Sequence, residues 1–174
     1  IVIGDNRNLD TVTGAVVIGN ATTATPVKAA NYSVTIGSNS LATVQSGVAI
    51  GNTAASSGSN AIAVGTNSKA AMLNTVAIGN TASASYMGGV ALGNAANSTG
   101  TNATAIGSTA TASGSNAIAM GTNSKAATLN TVAIGNTATA TSMGGVAIGN
   151  TSTTSSANAT AVGTNTMAKG ASSV

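Results

Sequence analysis

Very few side chains in this chain of 174 residues could carry out acid–base or metal chemistry. It contains no His and no Cys, and its only carboxylate side chains are those of Asp5 and Asp10. Catalysis by proton transfer needs titratable groups held side by side, and zinc sites are built from His, Cys and carboxylate ligands. Two aspartates five residues apart are more typical of turns than of a metal site. We therefore expect no catalytic residue, no cofactor-binding residue, no metal site and no enzymatic activity.

Scattered basic residues and two tyrosines are the remaining titratable side chains. A net charge of +3 spread along the chain does not match nucleic-acid binding, which needs clustered Lys and Arg. No apolar run approaches the length of a membrane span, so no membrane contact is expected from this segment. Lys69, Lys125 and Tyr86 are the candidate ligand-contact residues. The alternative interpretations are solvated charges for the two lysines and packing between subunits for the tyrosine.

A glycine that recurs every 14 residues defines the structural unit that must position these side chains. The motif NTVAIGN occurs identically at 74–80 and 130–136. The glycines in register are Gly37, Gly51, Gly65, Gly79, Gly93, Gly107, Gly121, Gly135, Gly149 and Gly163. A fixed period this short is typical of a solenoid, in which each repeat forms one coil. We number the positions of a coil so that Asn130 is position 1 and Gly135 is position 6.

Alternating residue size predicts two short strands in each coil. Positions 3 and 5 hold aliphatic residues such as Val132 and Ile134, which lie on one face of a strand and are predicted to fill the interior. Positions 9 and 11 hold small residues such as Ala138 and Ala140, predicted to face them from a second strand. The glycine at position 6 predicts a turn with positive φ. The pattern therefore indicates an all-β chain folded as a parallel β-roll, a single-chain solenoid of about 12 coils.

Position 4 carries a column of alanines and is predicted to point away from the interior. A flat apolar stripe of small residues on an outer face favours close packing of copies of the chain. The alternative interpretation is that alanine is merely tolerated there. The predicted interface residues are Ala49, Ala63, Ala77, Ala91, Ala105, Ala119, Ala133, Ala147 and Ala161.

The repeat pattern also predicts the domain organisation. We expect one β-roll domain over 1–174, with irregular first coils over 1–31 and regular 14-residue repeats over 32–171. Extra residues around Pro26 predict a loop near 22–31, because proline cannot donate to a β-ladder. Since Ile1 falls in the middle of a repeat, we expect the chain to be a piece of a longer protein.

The copies NTVAIGN, SGVAIGN, GGVAIGN and NATAIGS closely resemble the head repeats of YadA-like trimeric autotransporter adhesins. The resemblance covers nearly the whole chain and is cleanest over 32–171. It implies a left-handed parallel β-roll that assembles as a homotrimer and forms the head of a bacterial surface fibre. The outer-membrane anchor of such a fibre would lie outside this segment. The resemblance also implies attachment to host matrix proteins such as collagen, fibronectin or laminin, or to a host surface receptor, and autoaggregation in some members.

Two other functions are compatible with a regular β-roll. One is a structural spacer that lifts another domain away from the cell. The other is an ice-binding β-solenoid, which needs threonine in one outward column in coil after coil. Position 10 breaks such a column with Lys69 and Lys125, so the ice-binding function is the weaker alternative.

Overall fold

The structure is a computed structural model that describes residues 1–4, 7, 8, 12–20 and 27–174. The chain forms two compact units, Ile1–Gly88 and Gly89–Val174. In each unit the described residues form an all-strand parallel β-solenoid, with coils roughly 14 residues apart and about 11 turns in the chain. This confirms the predicted parallel β-roll. The hand of the roll, the trimer and the description as one domain stay predictions.

Two parallel sheets run through the coils of the first unit, and each coil contributes one strand to each sheet. We call the sheet of odd-numbered strands the first sheet and that of even-numbered strands the second sheet. The first sheet contains β1 (Val2–Ile3), β3 (Val16–Ile18), β5 (Val34–Ile36), β7 (Val48–Ile50), β9 (Ile62–Val64) and β11 (Val76–Ile78). The second sheet contains β2 (Arg7–Asn8), β4 (Val27–Ala29), β6 (Leu41–Ala42), β8 (Ala55–Ser56), β10 (Lys69–Ala70) and β12 (Ser83–Ala84).

The second unit repeats the same arrangement. Its first sheet contains β13 (Val90–Leu92), β15 (Thr104–Ile106), β17 (Ile118–Met120), β19 (Val132–Ile134), β21 (Val146–Ile148) and β23 (Thr160–Val162). Its second sheet contains β14 (Asn97–Ser98), β16 (Thr111–Ala112), β18 (Lys125–Ala126), β20 (Thr139–Ala140), β22 (Thr153–Thr154) and β24 (Met167–Ala168). Residues of equal position pair between coils, for example Ala133 with Ala147. Each position therefore forms a column along the solenoid.

The glycine at position 6 makes the turn between the two strands, as predicted. Gly135 has a φ of 134°, in a region that residues with a side chain rarely adopt. A Cβ atom on Gly135 would lie 2.3 Å from the carbonyl oxygen of Gly149 in the next coil. Successive coils approach each other so closely at this turn that only glycine fits.

From residue 33 onward, the interior of each coil is formed by small side chains at positions 2, 4, 9 and 11, and in the coil before it Val17 is buried at position 4. In the coil of NTVAIGN these are Thr131, Ala133, Ala138 and Ala140, each with no exposed surface. The prediction that positions 9 and 11 face inward is confirmed. The assignment of the neighbouring strand was wrong by one residue, because position 4 faces inward and positions 3 and 5 face outward.

The predicted alanine interface is therefore incorrect. The alanines are buried inside their own chain, where a second copy cannot contact them: Ala49, Ala63, Ala77, Ala91, Ala105, Ala119, Ala133 and Ala147 have no exposed surface and Ala161 has 3%. The physical reason is the short distance between the two sheets. Alanine faces alanine across the interior of these coils, and their methyl groups fill the space between the sheets.

Hydroxyl groups at positions 2 and 9 inside the coil donate to backbone carbonyls at the turns. Ser68 Oγ donates to the carbonyl of Gly65 at 2.9 Å, and Thr131 Oγ1 donates to that of Thr128 at 2.6 Å. In both cases the acceptor lies three residues earlier in the chain. The local turn geometry thus allows Ser and Thr to replace Ala at positions 2 and 9 with a partner for the hydroxyl, whereas Thr35 Oγ1 at position 4 and Thr154 Oγ1 at position 11 are buried without one.

Part of the irregular first region lies outside the described residues. Asp5, Asp10 and residues 21–26 of the predicted loop belong to that part, so their predicted roles remain predictions. The chain returns to the regular arrangement at β4, in which Lys28 pairs with Leu41 of the next coil.

Candidate interaction surfaces

In each unit, the outer face of the first sheet carries a stripe of mostly large aliphatic side chains. Because position 4 is buried, positions 3 and 5 of the same strand point to the opposite, outer side. We call this surface the aliphatic stripe, made up of positions 3 and 5 of every coil. Most of its side chains are half-buried by their neighbours along the stripe, and some are more open: Ile78 is 41% exposed and Met120 is 40% exposed.

The stripe is where the structure places the large apolar residues that the sequence analysis assigned to the interior. In the second unit its members are Val90, Leu92, Thr104, Ile106, Ile118, Met120, Val132, Ile134, Val146, Ile148, Thr160 and Val162. Twelve stacked side chains, ten of them apolar, form a larger and flatter apolar surface than the scattered hydrophobic residues of an ordinary protein surface. The stripe is therefore the strongest candidate for an interface.

Further apolar side chains lie in some of the turns that precede strands of the first sheet. In the first unit, Met72 and Leu73 lie in one such turn and Tyr86 and Met87 in the next. All four are between 43% and 52% exposed. In the second unit the corresponding turns carry Leu129 and Met143, which are similarly exposed. These apolar corners widen the aliphatic stripe on one side.

The outer face of the second sheet has the opposite character. Position 10 points outward from this sheet, because position 11 is buried. In the second unit the column contains Asn97, Thr111, Lys125, Thr139, Thr153 and Met167. Short uncharged polar side chains with an occasional lysine are easily solvated. The two sheets thus give each coil one apolar and one polar outer face.

The three candidate ligand-contact residues do not share one surface. Lys69 and Lys125 are exposed on the outer face of the second sheet, whereas Tyr86 lies in the turn that leads to the first sheet. The structure therefore does not gather them into a single binding site. A role for each in ligand contact remains a proposal.

Side-chain ladders stabilise the turns on the outside of the coils. Positions 1 and 8 adopt the left-handed conformation, as in Asn116 with φ of 55° and Thr109 with φ of 56°. Asn116 Nδ2 donates to Oδ1 of Asn130 at 3.2 Å, and the Thr109 hydroxyl donates to Oδ1 of Asn123. Each bond joins a residue to its counterpart one coil further on. These asparagines and threonines have a structural role in the turns.

Titratable chemistry is sparse in the described part of the chain. No three His, Cys, Asp or Glu side chains come together there as a metal site would require. Across the same described residues, no helix is long and apolar enough to span a membrane.

The sequence reasoning missed the stripe because it placed the larger residues inside. One signal could have located it. After the first coils, position 2 is glycine wherever position 11 of the same coil is Ser or Thr. The pairs are Gly47 with Ser56, Gly89 with Ser98 and Gly145 with Thr154. Compensation of this kind indicates that positions 2 and 11 touch each other. Since positions 2 and 4 lie on the same side of the strand, position 4 is then inside and positions 3 and 5 are outside.

Comparison with known protein families gave one match. A family model described as "YadA head domain repeat (2 copies)" matches residues 45–68, 70–96, 98–124, 129–152 and 140–166. These segments cover about two thirds of the chain and fall on the regular coils. A comparison with curated proteins gave no match.

Proposed function

The chain belongs to the YadA head domain repeat family, and from this membership we propose that it forms the trimeric head of a bacterial adhesin. The family implies an adhesin-type function and a location at the cell surface as part of an autotransporter. The finer proposal has two parts. Three copies pack through the aliphatic stripe, and the outward surfaces of the trimer attach to host matrix proteins or a host surface receptor.

The aliphatic stripe is the observation that supports assembly. A Val or Ile side chain covers about 100 Å² when it is fully buried, so a side chain that is about 40% exposed leaves about 40 Å² open. Four of the twelve stripe positions of the second unit are exposed to this degree or more and the other eight are half-buried, so together they offer roughly 300–400 Å² per copy. A stable interface buries about 800 Å² on each partner. The apolar corners and the stripe of the first unit add further apolar surface.

The number three comes from the family and not from the stripe alone. A closed assembly with three-fold symmetry lets every copy present the same narrow stripe to a common axis. The alanine interior has no part in these contacts. It brings the two sheets of each coil close together and so leaves every large aliphatic side chain available for the interface.

Attachment would then depend on the surfaces that the trimer leaves in solvent. The outer face of the second sheet is repetitive, polar and weakly basic, with Lys28, Lys69 and Lys125 among its exposed charges. Each contact on such a surface is weak, but the same contact recurs on three copies. Simultaneous contacts raise the overall avidity far above that of a single contact. Collagen, fibronectin and laminin are the proposed partners, and autoaggregation is proposed through the same surfaces.

Assembly is tested by one charge placed in the middle of the stripe. Ile134→Lys buries an unpaired ammonium group at the proposed interface, which costs several kcal/mol per copy. We expect sedimentation at micromolar concentration to give a trimer of the 16.2 kDa chain for the wild type and a smaller species for this variant. Thr153→Lys places the same charge at position 10 of the second sheet and should leave the trimer intact. A monomeric wild type, or equal masses for the two variants, would refute the interface.

Attachment is tested separately on the trimer. Immobilised collagen, fibronectin and laminin are each exposed to the wild-type trimer and to the Ile134→Lys variant. We expect binding by the trimer to at least one matrix protein and a large loss of avidity in the variant. A stable trimer that binds no matrix protein and no host cell would instead support the structural spacer.

A further inference from the structure

Two hydroxyl groups interrupt the aliphatic stripe of the second unit. Position 3 is Val or Ile in every coil of this unit except two, which carry Thr104 and Thr160. Both residues are half-buried. They point outward from strands β15 and β23, because the next residues in these strands, Ala105 and Ala161, are buried and successive side chains alternate. Neither hydroxyl has a hydrogen-bond partner within the described part of its own chain.

A stripe of nearly identical coils has no obvious way to align two copies of the chain. Sliding one copy by a single coil places Val and Ile against Val and Ile again, with a loss of contact only at the ends. A constant shift between neighbours also prevents a ring from closing, so that an open assembly forms in place of a trimer. Assembly through such a stripe therefore needs a feature that distinguishes one alignment from the others.

We propose that Thr104 and Thr160 set the axial register in which copies of the chain pack. This inference rests on the proposed trimer. In the aligned arrangement, three copies of the same threonine meet at one level of the stripe. A threonine hydroxyl is both donor and acceptor, so three of them can satisfy one another. A single polar residue in an apolar coiled-coil seam fixes register in the same way.

A shifted arrangement leaves these hydroxyls without partners. A shift of one, two or three coils places both threonines of one copy against valine, isoleucine or no residue of the neighbour. A buried hydroxyl without a partner is costly, whereas the aligned arrangement avoids that cost. The two threonines are 56 residues apart, or four coils. A shift of four coils does pair Thr104 with Thr160, but it gives up four of the six coils of the unit.

Other roles for the two hydroxyls are less well supported. Thr and Val have nearly the same shape and both favour strands, so the local fold does not require threonine. In the neighbouring coils, Ile118 and Val132 occupy the same position with the same strand pairing. Thr104 and Thr160 therefore differ from these residues mainly in the hydroxyl group that they present to a facing molecule.

The first test removes both hydroxyls without changing side-chain shape. Thr104→Val/Thr160→Val should associate at least as tightly as the wild type but sediment as a mixture that includes species larger than a trimer. The matched control is Thr111→Val/Thr153→Val at position 10 of the second sheet, which should sediment as one trimeric species. A discrete trimer from the stripe variant would overturn the register inference alone. A monomeric wild type would overturn the proposed trimer and this inference together.

The second test moves one of the two hydroxyls by one coil. The variant Val90→Thr/Thr104→Val keeps Thr160 and two hydroxyls per chain, so it should form trimers with itself, but no shift of this variant aligns both of its hydroxyls with those of the wild type. When it is refolded together with tagged wild-type chains, we expect trimers of one kind to exceed mixed trimers by about tenfold over random mixing. The stripe variant with no hydroxyl should mix with the wild type more freely. Random mixing of the moved variant would contradict the inference.

Discussion

The interior of the roll makes a sharp prediction at Gly47, the position 2 residue that faces Ser56. A Cβ atom on Gly47 would lie 2.8 Å from Ser56 Oγ. That hydroxyl is itself fixed, since it is buried and donates to the carbonyl of Ala61 at 2.9 Å. Gly47→Ala must therefore displace the hydroxyl and weaken its hydrogen bond. Overpacking of this kind costs about 1–3 kcal/mol of unfolding free energy.

Combining Gly47→Ala with Ser56→Ala should remove most of that cost. Ser56→Ala alone loses one hydrogen bond, worth about 1 kcal/mol, while the carbonyl of Ala61 still accepts from the Val48 amide at 2.9 Å. The double variant then has alanine at both positions, like the natural pair Ala61 and Ala70. The φ of Gly47 is not in the left-handed region. Alanine there therefore also raises the unfolding free energy by about 0.4–1 kcal/mol, because it reduces the conformational entropy of the unfolded chain.

We therefore expect the double variant to lie within about 1 kcal/mol of the wild type and the two substitutions to be coupled by about 1–3 kcal/mol. Urea denaturation measures the unfolding free energy of the wild type, the two single variants and the double variant. All four are measured at one chain concentration, because association shifts apparent stability. Gly47→Ala combined with Ser83→Ala, on the outer face of the second sheet, is the control and should be additive. Additive effects within about 0.5 kcal/mol for Gly47 and Ser56 would refute the facing of positions 2 and 11.

Two further substitutions test the close approaches inside the coil by the same denaturation measurement. Gly135→Ala should destabilise by about 3 kcal/mol or more, because its φ of 134° disfavours any side chain and its Cβ would meet the Gly149 carbonyl; a loss below about 1 kcal/mol would contradict the turn geometry. Ala133→Val should cost about 1–3 kcal/mol, because Ala133 is fully buried between the sheets, and a neutral effect would mean that position 4 faces outward after all.

Much of the fold could be predicted from the sequence because the repeat is so regular. The 14-residue period, the two strands and the glycine turn follow from spacing and residue type at positions such as Val132, Ile134 and Gly135. The alternation also shows that positions 3 and 5 share a face opposite to position 4. It does not show which face is inside, and a shift of one residue exchanges the two faces of a strand.

The error about the inner face arose from the usual composition of protein cores. Large aliphatic side chains are normally buried, so Val132 and Ile134 were placed inside and Ala133 outside. In this chain the two sheets are joined by turns too short to separate them by more than the width of small side chains. The position of the turns, and not hydrophobicity, decides which residues enter the interior. The candidate interface moved to the other face of the same strand, while the expectation of self-association gained a larger apolar surface.

The distribution of apolar residues links folding to assembly. An interior of Ala, Ser and Thr removes little apolar surface from water per residue, whereas fixing the backbone of each residue costs about 1–2 kcal/mol. Ladder hydrogen bonds between coils offset part of this cost, but the side chains with the largest hydrophobic contribution lie outside, in the aliphatic stripe. They contribute fully only when another copy covers them. We therefore expect a single chain to be weakly stable and the proposed trimer to supply much of the stability of the head, as in obligate oligomers. Because the aliphatic stripe must be covered for the chain to remain folded, the outer face of the second sheet is where the sequence can vary for attachment.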